Sequence, residues 1–358
     1  MAFVATDARA FQNQEELAKT IKIGLLIQNN KSVEAKFGAE MAIRMANKDG
    51  GINGHKFQLV THSMEGSWGT GSKQAVDLIF KESVWAIMGS HDGRNAHLVE
   101  QATAKTRTVF LSAWASDPTL SQAYIPWYFN CVPNDNQQAN ALIEEIFKNR
   151  KITKLAVVSD NGYDSKLALN TFVKNSKKAG NPDLFQFFYD NSSQNFERLL
   201  NQLKKADVSG VMLFGQPAAS IKIIQQMKEK KMNLPVFGTL SLLGENEFSD
   251  IKLADYEGVT LVTSGNWMGS KALSIQNEFQ KKYNKMPGAV AVYAFDGMNI
   301  IIEAIKNSRL DREKLQKYMS NTNYKGITGS IQFDEKGNRL GNVGLIEIIN
   351  GIPVTVSK

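Results

Sequence analysis

The chain has almost nothing with which to cross-link itself. Its 358 residues include one cysteine, Cys131, which excludes an intrachain disulfide and a cysteine-based metal cluster. The four histidines, His55, His62, His91 and His97, share no spacing typical of a zinc site. No run of about 18 apolar residues occurs, so no transmembrane helix is expected. The phosphate loop G-x-x-x-x-G-K-[ST] is missing. The glycines of Gly66-Ser67-Trp68-Gly69-Thr70-Gly71 stand in the wrong order, and after the wrong strand, for a dinucleotide fingerprint. A basic stripe interleaved with aromatics is missing as well. The net charge of +7 comes from scattered lysines such as Lys177-Lys178, Lys204-Lys205 and Lys228 to Lys231, which read as solvated helix faces and not as a nucleic-acid groove. No G-x-S-x-G elbow supports a serine nucleophile. Ser90-His91-Asp92 holds the three triad residue types, but consecutive residues cannot form the chained hydrogen bonds of a triad. The expectation is a protein with no catalytic residues, no cofactor, no metal and no nucleic-acid partner.

What is present is a long alternation of strands and helices. Hydrophobic residues make up 42% and charged residues 22%, ordinary for a globular protein, and the length favours two lobes over one. The patterning predicts a strand at Ile21–Ile27, a helix at Glu34–Asn47 closed by the turn Gly50-Gly51-Ile52-Asn53-Gly54, and a strand at Phe57–Thr61. It then predicts a helix at Ser72–Phe80, a strand at Val84–Met88, a helix over 94–105 and a strand at Thr108–Leu111. A second series follows Cys131-Val132-Pro133-Asn134-Asp135. Its helices fall over 136–148, 164–178, 194–205 and 217–230, and its strands at Leu155–Ser159, Leu184–Tyr189, Gly210–Phe214, Val236–Thr239 and Gly258–Thr263. Helices at Leu273–Tyr283 and Val290–Lys306 and a closing strand at Gly344–Ile349 complete it. About nine such units exceed one ordinary sheet, which points to an α/β protein of two lobes with parallel sheets. A (β/α)8 barrel is the competitor, and the terminal helices and returning strands count against it.

Open α/β sheets bind ligands at the carboxyl ends of their strands. Here those ends are rich in hydroxyls, amides and aromatics and poor in acid–base groups. The segment from Met88 to His97 is the most informative of them. A strand stops, the backbone turns through Gly89 and Gly93, and a helix starts with Arg94 in its first turn. The unpaired N–H groups and partial positive charge of that turn, with a guanidinium beside them, suit a small anion such as a carboxylate. The alternative is a plain helix cap, with Asp92 or Ser90 capping and Arg94 in water. Trp68, Trp114, Tyr163 and Trp267 also fall at strand ends and could wall a cleft or pack into a lobe.

Several motifs carry a family likeness. Ile23-Gly24-Leu25-Leu26, the helix after it, Asp49-Gly50-Gly51-Ile52-Asn53-Gly54, Tyr293-Ala294-Phe295-Asp296-Gly297 and the run Thr328-Gly329-Ser330-Ile331-Gln332-Phe333-Asp334-Glu335-Lys336-Gly337-Asn338 resemble the type I periplasmic binding proteins. Within these they resemble the leucine/isoleucine/valine-binding branch, over roughly residues 21–350. The resemblance implies two Rossmann-like lobes joined by three hinge crossings, near Val132–Asp135, Leu261–Ser264 and Lys325–Thr328. Lobe 1 would comprise 21–133 plus 264–326, and lobe 2 would comprise 134–263 plus 327–358. It further implies a monomer outside the cytoplasm, in the periplasm or its equivalent, that traps a small amino-acid-like or carboxylate-containing ligand and delivers it to the membrane permease subunits of an ABC importer. A ligand-sensing regulator or receptor module of the same fold is the alternative.

Carried over residue by residue, the ligand site would include Asp92, Gly93, Arg94 and Asn95 from the first loop and Ser112, Trp114, Ala115 and Ser116 from the second. Tyr163 falls at a ligand-facing tyrosine position, Gln216 replaces a second tyrosine, and Asp92, or Gln216 with Ser241, would hold the ligand's polar end. The first loop lacks the family's hydroxyls. Leu240 stands where an ammonium-binding acid is expected, with Glu245 close by. Residues 1–20 are expected to be an N-terminal arm or the remnant of an export signal, because Ala8-Arg9-Ala10 has a small-x-small pattern without a charged segment before it.

Overall fold

The computed structural model describes residues 20–356 apart from Trp68, 246–251, 266–271, Lys285 and Asn342. The readings made for the N-terminal arm before Thr20, for Trp68 and for Trp267 lie outside the described residues.

Short, continuously apolar runs become strands covered on both faces. The first sheet is β1 (Thr20–Ile27), β2 (Lys56–Ser63), β3 (Ala86–Ser90), β4 (Val109–Ser112) and β5 (Tyr128–Asn130), in the order β2-β1-β3-β4-β5. All its pairs are parallel, and Ile23 lies beside Leu59 while Gly24 lies beside Ile87. Every residue of β3 and β4 is buried, as parallel strands with helices on both sides require. The covering helices are α1 (Val33–Lys48), α2 (Thr70–Phe80) and α3 (Gly93–Thr106).

The second sheet begins after the first crossing. Helix α4 (Asp135–Ile143) continues as a π-helical turn at Glu144–Asn149, where a single α-helix over 136–148 is expected from the sequence. Then come β6 (Leu155–Ser159), α5 (Tyr163–Lys178), β7 (Phe185–Phe188), α6 (Glu197–Lys205), β8 (Gly210–Phe214), α7 (Pro217–Glu229), β9 (Val236–Gly238) and β10 (Val259–Thr263). The chain returns to the first lobe as α8 (Leu273–Tyr283), α9 (Ala289–Ser308) and α10 (Arg312–Ser320). Phe279 of α8 packs edge-on against Phe37 of α1, with ring centroids 4.9 Å apart. Helix α9 lies so close to α1 that a Cβ on Gly38 would stand 2.0 Å from the Ala291 carbonyl oxygen, so only glycine fits there. A small hairpin, β11 (Tyr324–Gly326) and β12 (Gly329–Ile331), leads back to β13 (Gly344–Ile349) and β14 (Ile352–Thr355).

The second sheet has the order β14-β13-β10-β9-β8-β6-β7. It is parallel from β7 to β10, while β13 and β14 run antiparallel at its edge. Asn350 and Gly351, with φ of 53° and 70°, form the two-residue turn between them. Positive φ at both central positions is what a tight hairpin needs.

The three crossings lie together and are bonded to one another. Arg339, buried, donates to the Cys131 carbonyl at 2.7 Å, to the Thr328 hydroxyl at 3.2 Å and to the Thr328 and Ser330 carbonyls at 2.5 and 3.2 Å. Asp296 of α9 accepts from the Ile327 and Thr328 amides and the Thr328 hydroxyl at 3.1, 2.7 and 2.7 Å. The Ser264 hydroxyl meets that of Tyr293. Gly265 packs directly on Thr328, where a Cβ would stand 2.2 Å from the Thr328 carbonyl carbon. Cys131 is buried among these groups, and its burial pushes the thiol up to about 12.

Candidate functional site

The carboxyl ends of the two sheets face each other across a cleft of about 1030 Å³. The first lobe contributes Gln28 and Asn29 after β1, Ser90 to Asp92 after β3, and Trp114 after β4. The second contributes Asp164 at the start of α5, the loop Asn191–Gln194 after β7, Gln216 and Lys222 at α7, and Glu245. A smaller cavity of about 40 Å³ opens beside it, lined by Trp114, Ser116, Asp135, Asp164, Gln216 and Ser241 among others.

The start of α3 follows the cap reading. Asp92 accepts from the Asn95 backbone amide at 2.9 Å and from its side-chain amide at 2.7 Å. The Gly93 amide donates to Asp164 Oδ1, on the other lobe, at 3.0 Å. The anion at this helix terminus is therefore the protein's own carboxylate. Gly93 cannot carry a side chain here, since a Cβ would stand 2.8 Å from Asp117 Cβ and 3.0 Å from Asp164 Oδ1.

Arg94 is placed by the sequence reading at the ligand's carboxylate. It is exposed and does not line the cleft. One residue on from Gly93 is a rotation of about 100° around the helix, which carries the side chain from the cleft side to the solvent side. Asn95 is occupied by the cap. Ser112 and Ala115 are buried and hold the turn after β4, with the Ser112 hydroxyl and the Asn130 amide both donating to the Ala115 carbonyl, at 3.4 and 3.0 Å. Tyr163 is exposed at the cleft edge and donates across the lobes to Asp117 Oδ2 at 3.2 Å, without lining either cavity.

Five of the sequence-derived residues thus line the cavities: Asp92, Trp114, Ser116, Gln216 and Ser241. Trp114 touches both lobes. Its ring lies edge-on to Tyr293 at 6.2 Å, and a Cβ on Gly244 would stand 3.3 Å from it. The Ser241 hydroxyl is engaged with Thr239 Oγ1 at 2.7 Å and with the Gly215 carbonyl at 3.1 Å. Leu240 is buried and lines the small cavity, with its amide donating to Gln138 Oε1 at 2.9 Å. Glu245 makes a third contact between the lobes, accepting from the Glu34 amide at 2.9 Å.

The electrostatics are those of crowded carboxylates. Burial and the neighbouring Asp92 push Asp164 up to about 7, against the pull of the Gly93 amide. Burial pushes Asp135 well above the usual carboxylate range. Burial also raises Asp117, but hydrogen bonds from His97 and Thr119 more than offset it and hold the carboxyl below its ordinary value. His97 is raised to about 9 by Asp117 and then Glu100. His91 stacks on Phe110 and is held neutral by burial, which lowers its pKa. Among the described residues no group of three or more His, Cys, Asp or Glu side chains is arranged to hold a metal ion.

Sequence reasoning missed Asp164, Asp135 and the loop Asn191–Gln194. An acidic residue in a helix's first turn is fully explained by that helix's own dipole, which conceals the role of Asp164 and Asp135 between the lobes. The loop carries only turn-forming polar residues.

The family described as periplasmic binding protein matches residues 20–345. A Leu/Ile/Val-binding protein homolog of Brucella melitensis is 26% identical over 309 residues, covering 84% of this chain and 81% of that relative. The branched-chain amino acid transporter substrate-binding protein of Streptococcus pneumoniae, solved with isoleucine, superposes with a TM-score of 0.81 at 18% identity, covering 94% of this chain and 100% of that one. A solute-binding protein of an ABC transporter from R. palustris, solved with benzoate, gives a TM-score of 0.80 at 17% identity over 94% and 95% of the two chains.

Proposed function

We propose, from the premise that the chain belongs to the periplasmic binding protein family, that it is the solute-binding component of an ABC importer. It captures a small amino-acid-like or carboxylate-containing organic ligand between its lobes by hinge closure and catalyses nothing. The observation that carries this reading is the cleft itself. It lies at the carboxyl ends of both sheets and is bridged by direct contacts from Asp164 to Gly93, Tyr163 to Asp117 and Glu245 to Glu34. Such contacts exist only when the lobes are together, so they bias a hinge toward the closed state.

We assign lobe 1 to residues 21–133 plus 264–326 and lobe 2 to 134–263 plus 327–358. The bonded cluster around Arg339 and Asp296 would be the hinge. The protein would act outside the cytoplasm as a monomer and hand its ligand to the importer's membrane subunits. Among the described residues no helix is long and apolar enough to cross a membrane.

The direct test is a thermal-shift panel of amino acids, amines, keto acids, aromatic acids and amides. A ligand at 100 times its Kd stabilises the folded state by about 2.7 kcal/mol, which gives a clear rise in Tm. No rise with any class would overturn the proposal.

A further inference from the structure

We propose that the cleft selects its ligand through an ammonium group, seated against Asp164, Asp92 and the indole of Trp114, and that the start of α3 provides no seat for a ligand carboxylate. The inference rests on the solute-binding reading above and names the charge of the solute.

At the start of α3 the N–H donors that would hold a carboxylate are already engaged. The Gly93 amide is taken by Asp164 and the Asn95 amide by Asp92. A ligand carboxylate would have to displace Asp164 and then face Asp92 and Asp117. Cations are scarce at the same place. Arg94 is exposed and outside the cleft. Among the described residues lining the cleft the one lysine or arginine is Lys222, whose ammonium is bonded to the side-chain oxygen of Gln194.

Carboxyl groups are concentrated there instead. Around the start of α5, Asp92 and Asp117 from one lobe and Asp160 from its own act on Asp164, and Asp164 and Asp117 act on Asp135. Asp160 is fully buried, and its Oδ2 has no partner among the described residues. It stands behind Gly215, on the side of the Tyr189 hydroxyl, and lines neither cavity itself. Asp164 and Trp114 line both the main cleft, where Asp92 stands, and the small cavity of about 40 Å³, which has room for an ammonium group but not for a whole amino acid. Closing the lobes drives Asp164 between Asp92 and Asp117. A cation brought in by the ligand neutralises the arrangement that closure creates, and an aromatic face beside carboxylates is a recurrent ammonium seat.

The test uses matched compounds that share a side chain and differ in charged groups: 3-methylbutylamine, leucine and 4-methylpentanoate, and likewise phenethylamine, phenylalanine and 3-phenylpropanoate. Calorimetric titration of the full chain should show binding by members carrying an amine, and at least tenfold weaker binding by those with a carboxylate alone. Asp164→Asn should weaken the amines at least tenfold. Asp92→Asn, which retains a good helix-capping side chain, should weaken them by a smaller factor, and it guards against an Asp164 variant that fails to fold.

Carboxylate-only members that bind as tightly as their amines would overturn the inference, as would Asp164→Asn protein that binds amines undiminished. In either case solute binding itself would stand. Absence of binding by every amine here overturns the inference, and only a silent wider panel would also remove the solute-binding reading.

Discussion

Asp164 makes closure of the cleft depend on pH. In the closed arrangement burial and then Asp92 move its pKa from the ordinary 3.8 to about 7, with Asp117 and Asp160 adding to the rise and the Gly93 amide opposing it. Asp135, with its own raised pKa, faces it across the small cavity. The phenol of the adjacent Tyr163 is spent on Asp117, which His97 holds in its charged form. When the lobes part, Asp164 leaves Asp92 and Asp117, and its pKa returns toward the ordinary value. The closed state therefore binds this proton more tightly. Its advantage is complete below about pH 4 and is lost as the pH rises through about 7. A rise of about three units at about 1.36 kcal/mol each sets a ceiling of about 4 kcal/mol, of which roughly 1–2 kcal/mol survives screening of a partly exposed carboxylate. Asp164→Asn keeps an oxygen for the Gly93 amide and cannot ionise. Small-angle scattering of ligand-free protein should show the wild type expanding between about pH 5 and pH 8.5, while the variant stays compact throughout. Equal expansion of the two proteins, or none in the wild type, would show that Asp164 does not set the pH dependence of closure.

Other outcomes follow from the same contacts. Arg339→Met removes a buried cation that serves the Cys131, Thr328 and Ser330 carbonyls and lies within range of Asp296. It should cost about 3–5 kcal/mol in urea unfolding, and a loss under about 1 kcal/mol would show that the hinge does not depend on it. Arg94→Ala should change ligand affinity by less than about 0.5 kcal/mol, as an exposed side chain outside the cleft would; a tenfold loss in calorimetry would return Arg94 to the site. His97, raised to about 9 by Asp117 and Glu100, contributes stability that is full below about pH 6.5 and lost as the pH rises through about 9, on the order of 1–3 kcal/mol. Denaturant unfolding of His97→Gln should be flat across that window; a slope equal to the wild type's would assign the dependence elsewhere.

The core of the architecture was legible because burial on both faces leaves a plain signature. Leu155–Ser159 and Gly210–Phe214 are apolar or small throughout, and the structure buries every residue of both. The strands at the margins left less trace. β5 is three residues long, and β14 is a short, partly exposed edge strand containing Pro353. Edge strands tolerate proline and need no continuous apolar pattern.

At the site, Trp114 was visible as a tryptophan in a strand-end loop. Asp164 was not, because its partner Gly93 lies 71 residues away on the other lobe and nothing local distinguishes it from an ordinary first-turn carboxylate. Arg94 lies outside the cleft for a related reason. The helix terminus does hold an anion, but the anion comes from within the chain, so the guanidinium beside it is left to solvent.

Capture by hinge closure is read most plainly in the distance between the lobes. Cys131 is buried and its thiol is pushed up to about 12, so cysteines introduced at the exposed positions Lys56 and Lys204 can be labelled selectively for single-molecule energy transfer. At about pH 8, above the titration of Asp164, the account predicts a broad open population that shifts to one narrow population of different separation when the best-stabilising compound is added. A distribution unchanged at saturating ligand would contradict it.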